Sequence, residues 1–147
     1  MNSDSNPVPE NLLPDLFEFT LQRSHVDKPR EIQRTEFKWL SELQVLQLDY
    51  GMIATHSKVS AEQWQIFWDI LNNIKLWKWK SSYNNPLLLD DYVITWDLKI
   101  KYNGIVLESA GYNAFPGDDS SDPEENEQFD IFVFAVQKLR GKDDNTH

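Results

Sequence analysis

The sequence predicts an α+β domain: an antiparallel sheet of about five to six strands with two amphipathic helices packed on one face. Three observations carry this. From Tyr92 to Tyr102 every second residue is apolar (Tyr92, Ile94, Trp96, Leu98, Ile100, Tyr102), with Thr95, Asp97, Lys99 and Lys101 between them, the period of a strand with one buried face. Asn103-Gly104 follows, the preferred pair for a type I′ turn, whose two central positions both need positive φ. Such a turn sets Tyr102 opposite Ile105 and Ile100 opposite Leu107, so both strands turn their apolar sets to one side. Finally, two stretches with a helical period interrupt and close the run of strands.

The elements follow in order. Residues 1–14, rich in Pro, Asn, Ser and acid, read as a disordered tail. Leu16 to Arg23 alternates, with Phe17, Phe19 and Leu21 on one side, and is a first strand. Residues 24–30 read as turn. Glu31 to Leu40 is a second strand, with Ile32 out of phase with Phe37 and Trp39. Leu43 to Leu48 is a third, Asp49-Tyr50-Gly51 a turn, and Met52 to Ser57 its return. Ser60-Ala-Glu-Gln63 is a capping box, and Trp64, Phe67, Trp68, Leu71 and Ile74 form the stripe of a helix ending near Asn72 to Lys75. Leu76 to Lys80 alternates and reads as extended, which puts Trp77 and Trp79 on one side, as core caps or as exposed anchors. Ser81 to Asp91 is a loop broken by Pro86. After the hairpin, Asp122 is a helix N-cap, Pro123 the first helical residue and Glu125 the third member of a box. Phe129, Phe132, Val133, Val136 and Leu139 are the buried stripe, Lys138 and Arg140 complement the dipole, and Gly141 stops the helix. One domain is expected over 15–141, with a second disordered tail at 142–147.

Composition narrows the function. The chain has 147 residues, 14 basic against 24 acidic, a net charge of −10. That balance disfavours nucleic-acid or anionic-membrane binding, which needs Lys and Arg against phosphates. It favours a basic protein partner, or solubility alone. There are no cysteines, so disulfides and thiolate metal sites are excluded, and a reducing cytoplasm is permitted. The first residues carry neither a basic start nor an apolar run, so no signal peptide is expected. No stretch approaches the roughly 18 apolar residues of a membrane span.

Catalytic signatures are missing from the sequence. His25, His56 and His147 have no partner at ligand spacing, so no zinc site is expected. There is no G-x-S-x-G elbow and no glycine-rich phosphate loop. Asp118, Asp119, Asp122 and Glu125 lack EF-hand spacing. No catalytic residue, metal or cofactor is expected, and the protein reads as a binder. An enzyme would need a pocket lined by His56, Asp97 or paired acids. The strongest surface feature is the run of seven acids without a base from Asp118 to Asp130. It is either a solvated helix start, where negative charge is favourable, or a patch that captures a basic protein. The candidate contact residues are Asp118, Asp119, Asp122, Glu124, Glu125 and Glu127, with Asp90 and Asp91 on a neighbouring loop.

Ser60 with Trp64 and Phe67, Trp77-Lys-Trp79, Tyr83, Asp90-Asp91, Trp96 with Leu98 and Ile100, and Ser109-Ala-Gly111-Tyr-Asn113-Ala-Phe-Pro116 before a final helix together resemble a group of small bacterial proteins. That group carries W-x-W, a Tyr, an Asp-Gly before a Trp-bearing strand, and S-x-G-x-N-A-[YF]-P. Asp91-Tyr92 stands where Asp-Gly is expected, and the acidic run is longer than typical. The resemblance spans about residues 58–140 and implies an α+β fold with no established activity. It gives Gly111 and Asn113 a part in aiming the chain from strand to helix. By analogy with toxin-neutralising immunity proteins, it implies a cytoplasmic, non-enzymatic inhibitor that covers a basic toxin or effector. The alternative is a phage or mobile-element protein whose acidic face mimics DNA and occupies a host nucleic-acid-binding defence complex.

Overall fold

The structure, a computed structural model, describes residues 8–85, 91–118, 122 and 126–140. The first strand, β1 (Leu16–His25), runs past Arg23. It is joined to β2 (Lys28–Leu40) by a tight turn at Val26-Asp27, so the connection expected over 24–30 shrinks to two residues. Ile32 pairs with Ser24 in the same unbroken register that pairs Phe37 with Phe19, so plain alternation turns it to the opposite face. Ile32 is exposed while Phe37 and Trp39 are buried, and the register shift falls beyond it, between Ser24 and His25. β3 (Val45–Tyr50) and β4 (Ile53–Ser57) turn at Gly51-Met52. Only Gly51 has positive φ there, the requirement of a type II′ turn. β6 (Tyr92–Tyr102) and β7 (Ile105–Tyr112) pair in the expected register, Tyr102 with Ile105 and Ile100 with Leu107, with Asn103 and Gly104 at φ 52° and 80°.

With a further strand, β5 (Ser82–Asn84), the sheet has seven strands in the order β4-β3-β2-β1-β6-β7-β5, more than expected and not wholly antiparallel. The extra strand lies in the segment expected to be loop and runs parallel to β7. Its cause is tertiary. Buried Ser109 donates its hydroxyl to the Lys80 carbonyl, and Ala110 and Asn85 N–H groups bond across to Ser81 and Tyr112. No local pattern in Ser-Tyr-Asn carries that information.

Helix α1 (Ala61–Asn73) starts on the expected capping box: Gln63 N–H donates to Ser60 Oγ at 3.1 Å and Ser60 N–H to Gln63 Oε1 at 2.8 Å. It ends where Lys75 enters the left-handed region at φ 57°. That reversal folds Leu76–Lys78 into a 3-10 turn, so the extended segment expected there does not form. Trp77 and Trp79 consequently diverge. Trp77 lies back over Trp68, its indole N–H on Asn72 Oδ1. Trp79 enters the core against Phe132 and Trp96, its N–H on Gln128 Oε1 at 2.9 Å. Helix α2 (Gln128–Leu139) buries Phe129, Phe132, Ala135, Val136 and Leu139. It starts later than the expected box. Asp122 contributes a carbonyl that accepts from Asn126 N–H, while Pro123, Glu125 and Gly141 lie outside the described residues.

Both helices cover one sheet face. Phe17 meets Phe67 of α1, Phe19 meets Phe132 of α2, and the helices touch each other. The buried core is unusually aromatic, with Trp39, Trp64, Trp68, Trp79 and Trp96 all inside it. The tail expected to be loose through residue 14 is instead docked from Val8 onward. Glu10–Leu12 forms a 3-10 turn, Leu12 and Leu13 pack on the core, and Trp68 Nε1 donates to Leu12 O at 2.8 Å. Residues 1–7 and 141–147 lie outside the described residues.

Among the described residues, one buried side-chain polar atom has no hydrogen-bond partner. Trp64 is fully buried and its Nε1 makes no hydrogen bond; its ring meets Trp39 edge to face at 5.1 Å. Removing an unpaired buried donor recovers about 1–3 kcal/mol, offsetting the packing lost with the smaller ring. Trp64→Phe is therefore expected to melt closer to wild type than Trp68→Phe, which loses a made hydrogen bond as well as ring area. A thermal denaturation series in which Trp64→Phe is the worse of the two would show that its N–H is not idle.

Candidate functional site: acidic surface and grooves around the second helix

The start of α2 separates two grooves, because residues three and four apart share a side of a helix. Asn126, Asp130, Val133 and Gln137 face one groove, of about 510 Å³, whose walls add Leu21, Arg23, Ile94, Phe115, Asp118, Phe129 and Phe134. Its middle is apolar: Phe129 is buried, Phe115 and Val133 are half-buried, and Phe134 is 54% exposed. Its edge carries Asp118, Asp130, Asn126 and Gln137, all exposed. Asp118 is fixed by accepting the Phe115 N–H at 2.9 Å. The Asp130 carboxylate has no hydrogen bond or ion pair among the described residues. Two bases border the groove: Arg23 lies over the Tyr92 ring at 3.8 Å, and Lys138 Nζ stands 5.3 Å from the centre of the Phe134 ring.

The second groove, of about 670 Å³, lies on the other side of the helix start. Asp122 and Glu127 share it with Lys75, Lys78 and Lys80 above a floor of Trp79, Tyr83 and Ile131. The expected acidic run is thus not one patch. Asp118 belongs to the apolar groove, Asp122 and Glu127 face lysines, and Asp91 sits at the far end of the β1–β2 hairpin, its carbonyl accepting from Val26 N–H. Asp90, Asp119, Glu124 and Glu125 lie outside the described residues.

Strand pairing assembles acids that no linear pattern places together. On the face opposite the helices, Asp49 pairs with Glu36, Glu36 with Thr20, and Thr20 with Asp97, which forms one row across four neighbouring strands. The next row mixes signs: Gln47, Lys38, Glu18, Lys99 and Glu108, with a Lys38–Glu18 contact of 3.7 Å. The alternation of each strand marks these residues as outward-facing; only the register makes them neighbours.

His56 and Asp97, the residues named for a catalytic pocket, do not meet. Four strand steps separate them, about 19 Å at the usual spacing. His56 Nε2 instead contacts Gln47 Oε1 at 3.0 Å, and Gln47 donates to Asp49. His25 stands in β1, not in a turn, edge-on to Tyr92. Among the described residues no group of three or more His, Asp or Glu side chains converges as metal ligands would, and no helix is long and apolar enough to cross a membrane.

The motif around Gly111 has a specific geometry. Asn113, at φ 50°, accepts the Ile94 N–H on its side-chain oxygen at 2.7 Å and donates its own N–H to the Ile94 carbonyl, so it continues the β6 pairing past the end of β7. Gly111 serves a different purpose from the conformational one expected. Its φ is not in the left-handed region. Its missing side chain lets the Trp96 indole cross to the Ala114 carbonyl, 3.0 Å away.

No protein-family model matches the chain, and no curated protein matches it.

Proposed function

We propose that this is a non-enzymatic binding protein of the immunity type, which neutralises a basic toxin or effector by covering its surface. One observation carries the reading: the groove beside α2 is lined by the half-buried Phe115 and the exposed Phe134 together with the exposed carboxylates of Asp118 and Asp130. An apolar centre within a polar rim is the anatomy of a protein–protein contact. Carboxylates at the rim attract a cationic partner and raise its association rate, and the net charge of −10 adds a long-range field of the same sign.

The DNA-mimic reading has less behind it. The acidic row of Asp49, Glu36 and Asp97 is bordered by a row containing Lys38 and Lys99, whereas a phosphate mimic gains from an unbroken negative face.

The test is co-expression with the product of the neighbouring reading frame, followed by binding kinetics on the purified pair. Rescue of growth and a complex of stoichiometric composition are expected. Asp118→Lys with Asp130→Lys should slow association by roughly tenfold at low salt, and much less at high salt. An unchanged on-rate in the double variant, with the fold intact by circular dichroism, removes the groove from the interface.

A further inference from the structure

We propose that β4 pairs with β4 of a second copy of this chain, antiparallel across a two-fold axis at Thr55. This rests on the sheet edge alone and stands apart from the function proposed above.

β4 is one of the two edges of the sheet. Natural edges are protected by charged side chains, proline, bulges or extreme shortness. The other edge, β5, has three residues. β4 has five, Ile53-Ala-Thr-His-Ser57, with no proline, no Lys, Arg, Asp or Glu, and an unbroken register against β3. Ile53 to His56 are all exposed.

The hairpin fixes which backbone groups are free. Tyr50 and Ile53 close a two-residue turn, so they form a hydrogen-bonded pair. Bonding then alternates along an antiparallel ladder. Ile53, Thr55 and Ser57 turn their N–H and C=O groups to β3, and Ala54 and His56 turn theirs outward. Centring a second β4 on Thr55 sets Ala54 against His56 twice, and each pair exchanges two backbone hydrogen bonds. A shift of one residue would set an outward pair against an inward one and make none.

The register is self-complementary, and the paired strands bring no like charges together. The opposed pairs are Ile53–Ser57, Ala54–His56 and Thr55–Thr55, so no carboxylate meets another although each chain carries a net charge of −10. The exposed tip, with Met52 fully exposed and Ile53 66% exposed, comes down beside Ser57 and the aliphatic stem of Lys58 in the other copy. Five residues a side fall short of the roughly 1,000 Å² of a stable interface. The dimer is therefore weak, with half-association on the order of 0.1–1 mM, and it tightens as salt screens the repulsion between acidic copies.

Sedimentation equilibrium on the full chain should show an average mass rising from 17.3 kDa toward twice that value as protein approaches 1 mM, more so at high salt. His56→Pro deletes an N–H that the monomer does not use, and should hold the mass at 17.3 kDa. Thr55→Glu opposes two carboxylates at the axis, should do the same, and stands in if the proline variant does not fold. With no native cysteine, Thr55→Cys should form a disulfide-linked dimer on mild oxidation, since opposed residues of a non-bonded pair lie within bridging reach. Glu62→Cys, exposed on α1, should not. A wild-type mass that stays at 17.3 kDa at 1 mM, or variants that associate like wild type, overturns the proposal.

Discussion

Replacing Gly111 with alanine is expected to lower stability by about 3–5 kcal/mol. A Cβ at this position would stand 2.1 Å from Trp96 Nε1, 2.5 Å from its Cε2 and 2.4 Å from the Ala114 carbonyl oxygen. None of these can yield cheaply. Trp96 is 2% exposed and held by Phe129 at 5.0 Å, Trp79 at 5.9 Å and Tyr83 at 5.9 Å. Ala114 O is backbone, fixed by accepting that same indole N–H. Overpacking costs about 1–3 kcal/mol, and a buried indole deprived of its acceptor about as much again. Urea denaturation measures the loss. Pairing Gly111→Ala with Trp96→Phe removes both the clashing atoms and the orphaned donor, so the double variant should lose less than the two single losses added together. Simple additivity would mean that Gly111 does not act through Trp96. Gly104→Ala supplies the contrast: its Cβ meets nothing within 4 Å, and only its φ of +80° makes alanine unfavourable, at about 1 kcal/mol.

Trp68→Ala is expected to cost about 4 kcal/mol and to release the N-terminal segment as well. Trp68 stacks on Tyr102 at 3.7 Å, lies parallel to Trp64 and Trp77, and meets Phe67 at 5.0 Å. The stacked pair also holds residues 11 and 12: the indole N–H donates to Leu12 O, and the Tyr102 hydroxyl donates to Asn11 O at 2.8 Å. Amide exchange over residues 8–13 should therefore quicken in Trp68→Ala out of proportion to exchange in β6. Equal changes in both regions would mean that the segment is docked by something else. Burial raises the Tyr102 pKa above the usual phenol value. The folded state thus favours the protonated, donating form. Its contribution is full below the ordinary phenol range and is lost as pH climbs through the raised value, so docking of residues 8–13 should loosen at strongly alkaline pH.

The features legible in the sequence are those whose causes lie within a few residues of one another. Asn103-Gly104 needs only its own two φ angles, and strict alternation on either side leaves one register that buries both apolar sets, as Ile100 with Leu107 shows. The box of Ser60 and Gln63 is closed by atoms three residues apart. The α+β class follows from the same local periods. The tertiary structure alone decided the rest. Leu76 to Lys80 alternates like a strand, but Lys75 in the left-handed region and the buried Leu76 make it a 3-10 turn. β5 exists because Ser109, 29 residues from Lys80, bonds its carbonyl. Asp118 and Asp122, four positions apart, line different grooves because the start of α2 lies between them. Asp49, Glu36 and Asp97, far apart in the chain, share a row. A hydrogen bond or cap within one turn is fixed by backbone geometry that the chain carries locally. A neighbour brought in from dozens of residues away depends on how every intervening element packs, and no spacing along the chain records that.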